Sequence, residues 1–127
     1  MNPENLALLE AVMEAHPLLT HFGYGEYDNA CKATPENRAR LLSAVDEIQA
    51  ARAWLSTQTP RLTLNHRRSS YGLKHIASKA TRCYIANGSF IAAALMDGWI
   101  VKRIPKTPNA RINLSETALR LSIKARS

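Results

Sequence analysis

Apolar residues recur at helical spacing from the start of the chain. Leu6, Leu9, Val12 and Met13 fall on one face, the pattern of an amphipathic helix. Asn2 is placed to cap it, with Pro3 at the first helical position and Glu4 near the positive end of the dipole. Pro17 is a stop. Residues 17–33 lose the period. Gly23, Gly25 and spaced aromatics predict a loop that lays Phe22, Tyr24 or Tyr27 onto the core. A sharper reading is an exposed aromatic loop that grips a partner. Thr34-Pro35-Glu36 then supplies cap, proline and acid in order. Leu41, Leu42, Val45, Ile48 and Leu55 continue the stripe, with Trp54 at its edge. The pattern predicts one helix over about residues 35–56, the longest in the chain. Arg38, Arg40, Asp46, Glu47 and Arg52 form its solvated face.

The second half changes rhythm. Thr59-Pro60 ends the first, and Arg61-Leu62-Thr63-Leu64 alternates like a short edge strand. Ser69 or Ser70 caps a helix whose apolar face is Leu73, Ile76, Ala77, Ala80 and Cys83 or Tyr84. Lys74, His75, Ser78, Lys79 and Arg82 take the other face. Asn87-Gly88 predicts a positive-φ turn and Ser89 a new cap. Residues 90–96 are apolar at every position, so that helix is buried all round, and Gly98 stops it. Residues 99–104 and 110–114 flank a Pro-Lys-Thr-Pro-Asn loop as a hairpin. Ile112 and Leu114 face one way, Arg111 and Asn113 the other. After Ser115 the pattern divides between helix and strand, with the balance toward a helix and a frayed basic tail.

Helix, turn, helix, hairpin is the order of a winged helix-turn-helix. The expected fold is therefore α+β and mainly helical, with a winged-helix-like C-terminal half carrying a small β-hairpin. At 127 residues the chain is read as a single domain. Charge divides it. Residues 1–60 hold four basic and eight acidic side chains, net −4; residues 61–127 hold thirteen and two, net +11. That asymmetry favours a polyanionic partner for the basic half. No run of about 18 apolar residues suggests a membrane span. The glutamate-bearing start does not read as a secretory signal, so a cytoplasmic location is expected. Cys31 and Cys83 lie far apart and read as reduced, unlinked thiols.

The candidate nucleic-acid contacts follow from these patterns. Arg67 and Arg68 precede a helix N-terminus, which attracts phosphate. Lys74, His75, Lys79 and Arg82 form a stripe, and Lys102, Arg103, Lys106 and Arg111 sit on or beside the wing. Asn87 and Ser89 are the only polar groups at the start of the second helix that could reach base edges. The greasy remainder argues for weak sequence specificity, or else for a helix that is simply the core element of an unrelated α+β fold. Catalytic signals are poor. Tyr71 and Lys74 fall one residue short of Tyr-x-x-x-Lys, and the four histidines lack metal-ligand spacing. No catalytic residue, metal or cofactor is assigned, and the chain is read as not an enzyme.

The segments SSYGLKH, NGSFIAAALMDGW and PNARINLSE resemble short uncharacterised proteins of proteobacterial plasmids and integrative elements. The resemblance spans residues 67–117. It implies a mobile-element or phage setting, where small proteins bind DNA as accessory regulators or bind host proteins to block defences. The leading expectation is a non-enzymatic DNA-binding accessory protein. The alternative is a protein-binding, anti-CRISPR-like inhibitor or adapter that engages a host protein or ribonucleoprotein. A homodimer is compatible with either, since nothing in the sequence sets the oligomeric state.

Overall fold

The computed structural model describes residues 1–26 and 31–126. Among them the fold is α+β and mostly helical, with six helices and two small antiparallel hairpins. Helix α1 (Pro3–Ala15) starts as its cap predicts: the Asn2 side chain accepts from the Asn5 N–H at 2.8 Å. Leu9, Val12 and Met13 are buried, while Leu6 stays exposed. The expected loop after Pro17 instead holds a minimal hairpin, β1 (Leu19–Thr20) and β2 (Gly23–Tyr24), paired Leu19 to Tyr24 and Thr20 to Gly23. Tyr24 is the aromatic laid onto the core, and Phe22 is exposed. Tyr27 lies outside the described residues.

The single long helix expected over 35–56 is two helices, α2 (Pro35–Ser43) and α3 (Val45–Leu55), broken at Ala44. No Gly or Pro marks the break. Its cause is tertiary: α2 packs on β1, while α3 packs on the fifth and fourth helices. A straight 22-residue rod, about 33 Å long, could not follow both. Residues 61–64 are not a strand. Only Pro60 bridges to Leu114, and the Arg61 N–H donates to the Asn113 carbonyl at 2.7 Å.

Ser69 is the cap of α4 (Ser70–Thr81), and α4 ends on Arg82 in the left-handed region, φ 56°. The expected Asn87-Gly88 turn is instead the first turn of α5 (Asn87–Met96), whose cap position is Ala86. Gly88 serves close approach: a Cβ there would overlap the Thr20 carbonyl oxygen. Every α5 residue except Leu95 is buried, as the unbroken apolar run predicts. The helix lies against α1, α3, α4, β1, β2 and the following strand β3. Its end is a Schellman motif. The Trp99 N–H reaches the Ala94 carbonyl at 3.1 Å and Gly98 N–H the Leu95 carbonyl at 3.4 Å, with Gly98 at φ 80°. The ring of Phe90 meets Trp54 at 6.0 Å between centroids, at the middle of the core.

Strands β3 (Val101–Arg103) and β4 (Ala110–Ile112) form the expected hairpin, paired Val101 to Ile112, Lys102 to Arg111 and Arg103 to Ala110. Ile112 and Leu114 point inward. Asn113 is buried too, because its side chain accepts from Ile100 N–H and donates to the Arg61 carbonyl. Residues 116–126 are helical throughout as α6 (Glu116–Arg126). No helix among the described residues is long and apolar enough to cross a membrane.

Candidate nucleic-acid interface

The structure divides the twelve candidate residues into two groups. Arg67, His75, Lys79, Arg82, Lys102 and Lys106 are exposed. The side chains of the five lysines and arginines among them make no hydrogen bond or ion pair with the described residues. His75 meets Tyr71 edge-on at 4.7 Å. Tyr71, His75 and Lys79 follow one another along a single face of α4 at spacings of four, and Arg82 stands just past its end. Lys79 also lines, with Ile76, Ile123 and Arg126, a cleft of about 260 Å³ between α4 and α6. The positive surface therefore continues onto Arg126, which periodicity could not place.

The hairpin joins this surface at the other end of α4. Lys102 and Arg111 are directly paired, so they share a face of the ribbon. The Arg111 guanidinium spans to the His66 carbonyl at 3.0 Å and the Arg68 carbonyl at 3.3 Å. That fork ties the hairpin to the start of α4, beside exposed Arg67. Ser70 strengthens the joint by accepting from the Ala110 N–H at 2.9 Å. Lys106 sits at the hairpin tip at φ 63°.

The remaining candidates are occupied within the fold. Arg68 grips Glu116 through both oxygens at 3.0–3.3 Å, and Asn65 and Arg120 bind the same carboxylate. The Arg68 hydrogen bonds hold the Glu116 carboxyl down at about 2 against an ordinary 4.5; Asn65 and Arg120 add to them, and burial opposes them. Arg103 pairs with Glu26 at 2.6 Å and lies over the Tyr24 ring. Burial raises the Tyr24 hydroxyl above its ordinary range, against the pull of the Arg103 charge. Lys74 is not part of a solvated stripe. It is 5% exposed, with its Nζ over the rings of Tyr71 at 5.2 Å and Tyr84 at 4.7 Å.

Asn87 and Ser89 are both buried. Asn87 Nδ2 donates to the Pro108 carbonyl (3.2 Å) and to Asn109 Oδ1 (3.0 Å), and its Oδ1 accepts from Ser70 at 2.8 Å. Ser89 donates to Glu47 at 3.1 Å. Glu47 also accepts from the Ala86 N–H at 2.8 Å and from His21 Nε2 at 3.1 Å. A carboxylate from α3 thus fills the N-terminus of α5, the positive end of its dipole. Sequence reasoning placed Glu47 on a solvated face, and its acidic position early in α3 carried no sign of this reach. It also set Tyr84 as a choice for the apolar face of α4 and weighed Tyr71 only for catalysis, whereas both rings are exposed.

Arg52 forks onto Asp97 at 2.7–3.1 Å. Both acidic residues of the basic half, Asp97 and Glu116, are therefore already paired. The two cysteines are not linked to each other. No group of three or more His, Cys, Asp or Glu side chains that could hold a metal ion occurs among the described residues. Comparison with known protein families, curated proteins and solved structures gives no match.

Proposed function

We propose that the chain is a non-enzymatic nucleic-acid-binding protein that grips the phosphate backbone through α4 and the β3–β4 hairpin. One observation carries this. Exposed cations without acidic partners run from Lys102 and Arg67 along α4 to Arg82, in a half whose two carboxylates are both consumed. Phosphate contact needs such spread positive charge. The order α3, Pro60 bridge, α4, α5, β3, β4 supports a winged-helix arrangement, with the bridge to Leu114 beside the wing strand. In that arrangement α5 is the helix that would read bases, and α1 and the β1–β2 hairpin cover it. The reading is therefore one of backbone contact with little sequence preference. The mobile-element setting rests on the resemblance of residues 67–117.

Salt titration of binding to random duplex tests the proposal. Replacing Lys79 and Arg82 by Ala should reduce the salt slope of log K by about 1.8, at about 0.9 per phosphate contact, and weaken all sequences alike. Both residues are exposed, so the circular dichroism should not change. Failure of the native protein to bind any duplex or single strand at low salt would refute the proposal. The protein-binding inhibitor would then replace it. The covered α5 favours that second reading, as do the exposed Leu6, Leu8 and Leu18 on the acidic half. It expects a stable complex with one host protein.

A further inference from the structure

We infer that Tyr71, Lys74 and Tyr84 form a stacking and phosphate site for single-stranded nucleic acid. The inference rests on the proposed nucleic-acid reading and names the form of ligand. Tyr71 and Tyr84 are 51% and 65% exposed, large aromatic rings left in water beside a cationic helix. Between them lies Lys74, 5% exposed, which makes no hydrogen bond or ion pair with the described residues. Its ammonium rests on the two ring faces alone, at 5.2 and 4.7 Å. The stem of Lys74 is buried, yet its ammonium is not among the buried atoms that lack a partner, so the charge reaches the surface between the two rings with no carboxylate beside it, where an anion can meet it.

Both rings already flank the ammonium in the fold. Tyr71 stands in the first turn of α4, edge-on to His75 at 4.7 Å. Tyr84 is placed by the left-handed residue Arg82 and by its buried neighbour Ile85, whose N–H donates to Ser78 Oγ at 3.0 Å. Each ring gives one face to the ammonium and keeps exposed surface for a flat partner. Unpaired bases present flat faces, whereas duplex bases cover theirs against one another. The phosphate between two stacked nucleotides would lie against Lys74, and Lys79 and Arg82 would continue the track along α4.

Fluorescence anisotropy with the full chain tests this. Four probes of equal length are compared: oligodeoxythymidylate, oligouridylate, an abasic deoxyribose-phosphate strand and a random duplex. The native protein should bind the base-bearing single strands about 10-fold or more tighter than the abasic strand. The double variant Tyr71→Ala, Tyr84→Ala should lose that preference and keep its duplex affinity. Tyr71→Phe with Tyr84→Phe should retain the preference, since stacking needs the ring and not the hydroxyl. The ratio of thymidylate to uridylate binding separates DNA from RNA as the source. Equal binding of base-bearing and abasic strands by the native protein overturns the site, even if the alanine variant does not fold. So does a preference that survives in a folded alanine variant. Both leave phosphate binding intact. Absence of binding to all four probes at low salt would instead overturn the nucleic-acid reading itself.

Discussion

Arg38 looks like a surface residue in the sequence and acts as a clamp in the structure. Its guanidinium donates through Nη2 to the Met13 carbonyl at 2.7 Å, and through Nη1 to the carbonyls of His16 (3.0 Å), Pro17 (2.8 Å) and Leu19 (2.8 Å). These carbonyls include one from the last turn of α1, which carries no basic residue of its own there. Arg38→Ala would remove all four bonds, yet they would not count equally. The Met13 carbonyl keeps the His16 N–H at 3.3 Å, and the His16 carbonyl keeps the Leu19 N–H at 3.0 Å. Pro17 is exposed and can turn to water. Leu19 is fully buried and has the most to lose. One stripped buried acceptor and three weakened ones amount to about 2–4 kcal/mol, taking about 1.5–3 for a bond to a charged donor. For a chain of this size the melting temperature should fall by about 10 °C. Arg38→Lys should recover only part of this, because one ammonium cannot fork to four carbonyls. Thermal and urea unfolding followed by circular dichroism measures both variants. A loss under about 0.5 kcal/mol for Arg38→Ala would refute the clamp.

Two further outcomes follow from the geometry. The Glu116 carboxyl is held at about 2 in the fold against 4.5 ordinarily, so the unfolded chain takes up its proton first. Its stabilising contribution is complete above about pH 4.5 and is lost as pH falls toward about 2. Glu116→Gln should flatten urea midpoints across that window, and profiles parallel to the native one would contradict this. Gly88→Ala should cost about 1–3 kcal/mol through overlap with the Thr20 carbonyl. Gly72→Ala, with nothing near its Cβ, should be neutral or stabilise by up to about 1 kcal/mol. Equal effects at the two glycines in thermal melts would remove the close-approach argument.

Local chemistry was legible where it acts within a few residues. The caps Asn2, Thr34 and Ser69, the Gly98 stop and the buried run of α5 all appear as their sequence patterns predict. The break at Ala44 was not legible, since packing on two different surfaces causes it and no residue type marks it. Nor was the β1–β2 hairpin, which is two residues per strand and held by contact with α5. The charged residues misled for one reason. Arg38, Glu47, Arg68 and Arg111 have the spacing of a wet surface, and their partners are distant in sequence; Lys74 has the same spacing but is covered by Tyr71 and Tyr84 nearby. Charge counting found the basic half correctly, but only the fold separates spent cations from available ones.

The central place of α5 also has a consequence for how the chain comes into being. Leu9, Val12 and Met13 of α1 are buried, and α1 packs on α5, which begins only at residue 87. During synthesis the N-terminal half emerges with this apolar surface uncovered, and its main partner is still untranslated. Closing such a long loop is slow compared with forming helices. The interval invites non-native association. The dense charge of residues 1–60, eight acids to four bases, then works as a solubilising sheath for an unfinished molecule.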